Sequence, residues 1–233
     1  TIVACIGPKT AETATEFGLR VDVQPETASI PDLVDALAEH AARLRAEGEG
    51  LPFHVVQIAG RDPENMGEAA RLAEAAGAHA IDINMGCPAK RVVGGLAGSA
   101  LMRDIAHAAT LIRAVVEAVR VPVSVKMRLG WDDRTRNALT LARVAEDIGV
   151  RLVSVHGRTR CQFYTGRADW DAVGEVVQGV SIPVLVNGDI ADAASGVAAL
   201  AQSGAAGLMI GRSAIGRPWL LGQVRSRLEG TAY

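Results

Sequence analysis

The chain has 233 residues, 49% of them apolar and 21% charged, which suits one globular domain with a sizeable core and excludes a disordered polyelectrolyte. No apolar run approaches the roughly 20 residues that cross a bilayer, so a soluble protein with no membrane partner is expected. A net charge of −2 leaves no dense basic patch of the kind that holds nucleic acid through phosphates alone.

The charge is unevenly spread. Residues 1–50 carry 4 Lys/Arg and 9 Asp/Glu, so the remaining 20 and 17 leave residues 51–233 at net +3, a shift that marks a domain or fusion boundary. Cys5, Cys87 and Cys161 form neither a metal-ligand spacing nor a disulfide framework, and a reducing cytoplasm and no metal are expected.

In chain order, an apolar run at Ile2–Ile6 precedes helical text ending in Glu16-Phe17-Gly18, and a second run follows at Arg20–Gln24. Ser29 ahead of Pro31 starts a helix over 31–46, and Pro52 precedes a third run at His54–Ile58. Asp62-Pro63 opens a helix over Glu64–Ala76, closed by Gly77 ahead of a fourth run, Ala80–Asn84. The fifth run, Val123–Met127, follows Pro122, and the sixth, Leu152–His156, follows Asp147-Ile148-Gly149. Pro183 precedes Val184–Asn187, and Gln202-Ser203-Gly204 precedes Gly207–Ile210. Glycine at these helix ends suits the left-handed C-cap.

Eight strands alternating with helices, read as apolar on both faces, imply a parallel sheet covered by helices. A closed (β/α)8 TIM-like barrel in one domain, 1–233, is the expected fold, with a doubly wound open sheet as the alternative. The glycine-rich fingerprint of the latter is missing.

Gln57, Asn84, Lys126, Arg128, His156, Asn187 and Asp189 all fall at or just past strand ends. Singly each reads as a solvated loop starter, but in a barrel these ends converge on one mouth, where a shared ligand is the better reading. Asn187-Gly188-Asp189 and Gly211-Arg212 end the last two strands, where glycine N–H groups and a cation commonly bind phosphate. Lys126 and Arg128 flank Met127, so the pleat aims both at one face. They suit an anionic ligand or, alternatively, ion pairs with Asp82 or Asp189. Cys87 lies in Asn84-Met85-Gly86-Cys87-Pro88, as either a small buried apolar residue or a thiol able to donate a proton or attack.

Together these motifs resemble the tRNA-dihydrouridine synthases. The matching text runs from 51 to about 228 and includes Val56-Gln57-Ile58-Ala59-Gly60, Asp82-Ile83-Asn84-Met85-Gly86-Cys87-Pro88, Val125-Lys126-Met127-Arg128, His156-Gly157-Arg158-Thr159-Arg160, Asn187-Gly188-Asp189-Ile190 and Ile210-Gly211-Arg212. The resemblance implies a flavin-dependent oxidoreductase that holds FMN across the barrel mouth, takes electrons from NADPH and reduces uridine in tRNA to dihydrouridine. It implies Cys87 as the general acid, with Gln57, Lys126 and His156 at the flavin ring. Asn187, Gly188, Asp189, Gly211 and Arg212 would then hold the phosphate, and Asn84 and Arg128 would face the substrate.

The family's first strand ends in Pro-Met-Ala-Gly, text that this chain lacks, and the family continues into a helical tRNA-binding domain. Residues 1–48, through Val3-Ala4-Cys5-Ile6-Gly7-Pro8-Lys9-Thr10, instead resemble the C-terminal part of a uroporphyrinogen-III synthase. The two resemblances imply an engineered chimera whose first two β/α units come from a different α/β fold, with a seam near Glu47–Leu51. Impaired catalysis, weak tRNA contact and a monomeric state are then expected. The alternative is a fragment-recombination scaffold with no catalytic activity.

Overall fold

The structure is a computed structural model that describes residues 53–231 and, before them, the isolated positions 12, 15, 24, 26, 27 and 36. The first two expected strands and the seam lie outside the described residues. The other six strands are present: β1 (Val55–Ile58), β2 (Ala80–Met85), β3 (Val123–Arg128), β4 (Leu152–His156), β5 (Val184–Asn187) and β6 (Gly207–Met209). All pair in parallel in the order β1-β2-β3-β4-β5-β6. Sequential order with helices between strands is the arrangement of a (β/α) barrel, because a doubly wound sheet reverses its order at a switch point.

Local chemistry sets the element ends. Helix α1 (Pro63–Ala75) starts where Asp62 accepts the Asn65 N–H at 2.9 Å, with proline in the first turn. A short α2 (Lys90–Gly94) and a 3-10 turn (Gly98–Arg103) precede α3 (Ile105–Ala118). Helices α4 (Ala138–Ile148) and α6 (Ala193–Ser203) end on Gly149 and Gly204 in left-handed conformation, as the C-cap reading expects. Between them lies α5 (Trp170–Gly179), and α7 (Leu220–Glu229) follows β6.

The strands are not apolar on both faces. One face carries Ile81, Ile83, Val125, Met127, Val153, Val155 and Val186, all fully buried in the core. Against it pack Leu111, Ile112 and Val115 of α3, Leu141 and Ala145 of α4, and Val173 of α5. The pleat puts the alternate residues on the opposite face. Register aligns them in three rows: Gln57-Asp82-Ser124-Leu152, then Asn84-Lys126-Ser154-Leu185-Gly207, then Arg128-His156-Asn187-Met209. The polar residues hidden in these apolar runs are therefore one surface, and it faces away from the helices.

Two half-buried glutamates repeat one device at the helix-to-strand joints. Glu74 accepts the Arg120 and Val121 N–H groups at 2.8 and 3.0 Å, and Glu146 accepts those of Ser181 and Ile182 at 2.7 and 3.0 Å. Each pair of N–H groups sits just ahead of the proline that opens β3 or β5, where no other described acceptor is bonded to them. A carboxylate accepting two backbone donors contributes about 1–3 kcal/mol, so Glu146→Ala is expected to lose about that much in urea unfolding, and Glu146→Gln less. An unchanged midpoint for Glu146→Ala would contradict the assignment.

Candidate active site

The structure brings together the strand-end residues read from the sequence. Gln57, Asn84, Lys126, Arg128, His156 and Asn187 come from five strands and share the inner face. Two of them, Gln57 and Asn84, join Ser124 in a chain anchored by an acid. Gln57 Nε2 donates to Asp82 Oδ2 at 2.5 Å, Asn84 Nδ2 donates to Gln57 Oε1 at 2.9 Å, and Ser124 Oγ donates to Asp82 Oδ1 at 2.6 Å. Asp82 is thus engaged by neutral donors and forms no ion pair with Lys126.

Asn84 also fixes the Cys87 loop. Its Oδ1 accepts the Gly86 and Cys87 N–H groups at 3.1 and 2.9 Å. From behind, Ser99 donates to the Cys87 carbonyl through N–H at 3.0 Å and Oγ at 2.8 Å. Gly98 (φ +59°) packs so closely that a Cβ there would lie 2.9 Å from the Cys87 carbonyl oxygen. The thiol is half-buried and free, on a backbone held from both sides.

Lys126 makes no hydrogen bond or ion pair with a described residue, although it is partly buried. Desolvation, with Arg128 beside it and only Asp82 opposing, pushes its ammonium down to about 8. Arg128 is 2% exposed, and burial lowers it to about 10. Its Nε donates to Gly86 O at 2.9 Å, and its Nη1 donates to Thr159 O and Phe163 O at 2.8 and 2.9 Å, so only Nη2 remains without a described acceptor.

Arg158, which the sequence patterns did not single out, is also 2% exposed. Its Nε donates to Thr165 O at 3.0 Å and its Nη2 to Gly166 O at 2.7 Å. Nη2 also forms a 2.7 Å ion pair with Asp189, which accepts the Ala168 N–H at 2.7 Å from a left-handed backbone (φ +57°). The Asp189 carboxylate is therefore turned to Arg158, and no ion pair joins it to Lys126 or Arg128. Asn187 Nδ2 donates to Met209 O at 2.7 Å, and Trp170 Nε1 to Gly188 O at 3.0 Å. At Gly211 an added Cβ would meet nothing within 4 Å, and the exposed Arg212 lays its guanidinium 3.9 Å from the Tyr164 ring centroid. Tyr164 gave no sequence signal of its own. Its place becomes visible only once Arg128 and Arg212 are seen on its ring.

A parallel β/α barrel with a cation-rich polar mouth is the class that fold and site define. The family model for Dihydrouridine synthase (Dus) matches residues 33–232, and the chain belongs to that family. It is 57% identical over 174 residues to a probable tRNA-dihydrouridine synthase of Rickettsia conorii, covering 75% of this chain and 53% of that protein. To one of Rhizobium leguminosarum bv. phaseoli it is 50% identical over 218 residues, 94% of this chain and 68% of the relative. To tRNA-dihydrouridine synthase B of Pseudomonas putida it is 49% identical over 183 residues, 78% and 54%.

The chain thus spans about half to two thirds of the length of these relatives. The family match opens at 33, ahead of the boundary expected at 51, and runs across Glu47–Leu51. Among solved structures, a mandelate oxidase mutant with a monooxide FMN adduct shares the fold at TM-score 0.54 and 23% identity, over 83% of this chain and 61% of that one. A dipeptide epimerase from Enterococcus faecalis does so at 0.56 and 13%, over 88% and 55%. No helix among the described residues is long and apolar enough to cross a membrane.

His156 supplies a stability test. Burial first, then Lys126, Arg128 and Arg158, push it down to about 3 from an ordinary 6.5, with only Asp189 opposing. The folded chain holds the neutral ring while the unfolded chain takes up a proton below 6.5, so this contribution is complete above 6.5 and is lost as pH falls toward 3. His156→Gln is expected to show a shallower fall in thermal midpoint across that interval than the parent chain. Equal slopes would contradict the neutral, buried ring.

Proposed function

We propose that this chain holds FMN across the mouth and reduces a uridine of tRNA to dihydrouridine, with NADPH as reductant. The observation that carries the reading is Lys126, a cation on the inner face with no described partner, on a surface where Gln57, Asn84 and Asn187 donate hydrogen bonds within the protein. An ammonium left unpaired and desolvated is suited to an anionic ring edge. The open backbone at Gly211, with Arg212 next to it, suits a phosphate.

When bound and reduced, a flavin would supply hydride chemistry at C6 of uracil. Cys87 Sγ–H gives the proton to C5, so that hydride and proton together saturate the C5–C6 bond and the thiolate remains. Arg128, whose Nε donates to the carbonyl of Gly86 next to Cys87, would offer its charge to that thiolate. Gln57 and His156 hold the flavin ring, and Asn84 joins Gln57 to the Cys87 loop, which ties the position of the acid to that of the ring. Asn187, Gly188 and Asp189 meet the phosphate through the loop that follows β5. Asp189 acts there through its backbone, since its carboxylate is bound to Arg158.

We further propose that activity and tRNA contact are weak in this chain, because its net charge of −2 offers the phosphates of a nucleic acid little attraction. A second reading, an engineered recombination scaffold with no catalytic role, draws on residues 1–32, which lie outside the family match. Flavin titration separates the two. FMN is expected to bind at least roughly tenfold more tightly than riboflavin, since charge-assisted bonds to the phosphate are about twice as strong as neutral ones. Cys87→Ala is expected to keep that affinity and to lower dihydrouridine formation at least about a hundredfold. Failure to bind FMN would support the scaffold; equal affinity for riboflavin would remove the phosphate site, and surviving activity in Cys87→Ala would remove the acid.

A further inference from the structure

His156 ends β4 with the Cδ2/Nε2 edge of its ring against Gly188. A Cβ at 188 would lie 2.9 Å from Cδ2 and 3.0 Å from Nε2, so the ring fits only beside glycine. Arg158 Nη1 stands 3.3 Å from Nε2. A guanidinium has five N–H donors and no acceptor, so this contact is a hydrogen bond only when Nε2 carries the lone pair. The proton must then sit on Nδ1. Protonating Nε2 as well would set two N–H groups against each other.

Arg158 cannot easily turn away from this role, since bonds to Thr165 O, Gly166 O and Asp189 hold the rest of its guanidinium. The charged groups that act on His156 are Lys126, Arg128 and Arg158, all of which disfavour imidazolium, and Asp189, already paired with Arg158. Nδ1 makes no hydrogen bond to a described residue. Histidine tautomers are set in this way by the bond that the other ring nitrogen makes.

We propose that Arg158 is a positioning residue that fixes His156 as the Nδ1–H tautomer, so that the ring offers the barrel mouth a hydrogen-bond donor and not an acceptor. What receives that bond rests on the flavin reading above, which supplies a carbonyl oxygen or imine nitrogen of the isoalloxazine. The tautomer itself does not depend on a flavin.

The test is a long-range ¹H–¹⁵N spectrum of the chain labelled with ¹⁵N-histidine and freed of flavin. Among the five histidines, His156 is the one whose cross-peaks vanish in His156→Gln. The parent chain is expected to show Nδ1 protonated and Nε2 bare, unchanged from about pH 8 to about pH 5, where an ordinary histidine titrates. Arg158→Met should lose this signature and Arg158→Lys, which still donates, should keep it. An Nε2–H ring in the parent, or the parent signature surviving in Arg158→Met, overturns the proposal. If Arg158→Met does not fold, the parent and Arg158→Lys spectra decide alone. Adding FMN to the same sample separates the two ideas. An Nδ1–H ring without FMN binding leaves the positioning role and sinks the flavin reading, whereas FMN bound over an Nε2–H ring sinks the positioning role alone.

Discussion

Two buried guanidinium groups organise the mouth of this barrel. A charge taken out of water must be met by acceptors, and removing one partner from such a group commonly costs about 3–5 kcal/mol. Arg128 and Arg158 are met chiefly by carbonyls of one loop: Thr159 and Phe163 for the first, Thr165 and Gly166 for the second. That loop is thereby tied to the ends of β3 and β4. It holds Phe163 in left-handed backbone (φ +53°) and presents Tyr164 beneath Arg212, which links it to the far side of the sheet beyond β6. The same two residues also reach the groups with chemical potential. Arg128 binds the carbonyl of Gly86 next to Cys87, and Arg158 binds His156 and Asp189.

Stability and chemistry are divided between the two faces of the sheet. The helix-covered face is aliphatic, fully buried along β2 to β4 and partly so in β1 and β6, and it follows the ordinary rules of close packing. The inner face is a polar layer in which Gln57, Asp82, Asn84 and Ser124 are hydrogen-bonded to one another, whereas the Lys126 ammonium makes no hydrogen bond or ion pair with a described residue. An uncommitted cation there weakens the folded chain, which is what the proposed anion site would require, since perturbed charges of this kind cluster where ligands bind.

Much of the architecture could be read from the sequence because its signals are local. Gly149 and Gly204 mark helix ends through their left-handed backbone, and Pro122 and Pro183 stand just before β3 and β5. Polar residues at strand ends were readable for the same reason. The alternation inside the strands was missed because aliphatic residues dominate each run, and Ser124 and Ser154 look innocuous until the register lines them up with Asp82 and Lys126. Arg158 escaped notice because its partners are loop carbonyls, which carry no side-chain signature, and an aspartate 31 residues away. The family boundary also lay further upstream than the motif text suggested, since the match begins at residue 33, in text without a distinctive motif.

The central claim is that the mouth keeps Lys126 unpaired for an anionic ligand, and thermal unfolding of Lys126→Met with and without FMN tests it most directly. With Lys126 pushed down to about 8, its charge opposes folding at neutral pH, an effect relieved only as pH rises from there toward its ordinary 10.5. The account therefore predicts a ligand-free Lys126→Met chain that melts higher than the parent at neutral pH and gains little from added FMN, while the parent gains clearly. A variant that melts lower than the parent and is still stabilised by FMN to the same degree would contradict it.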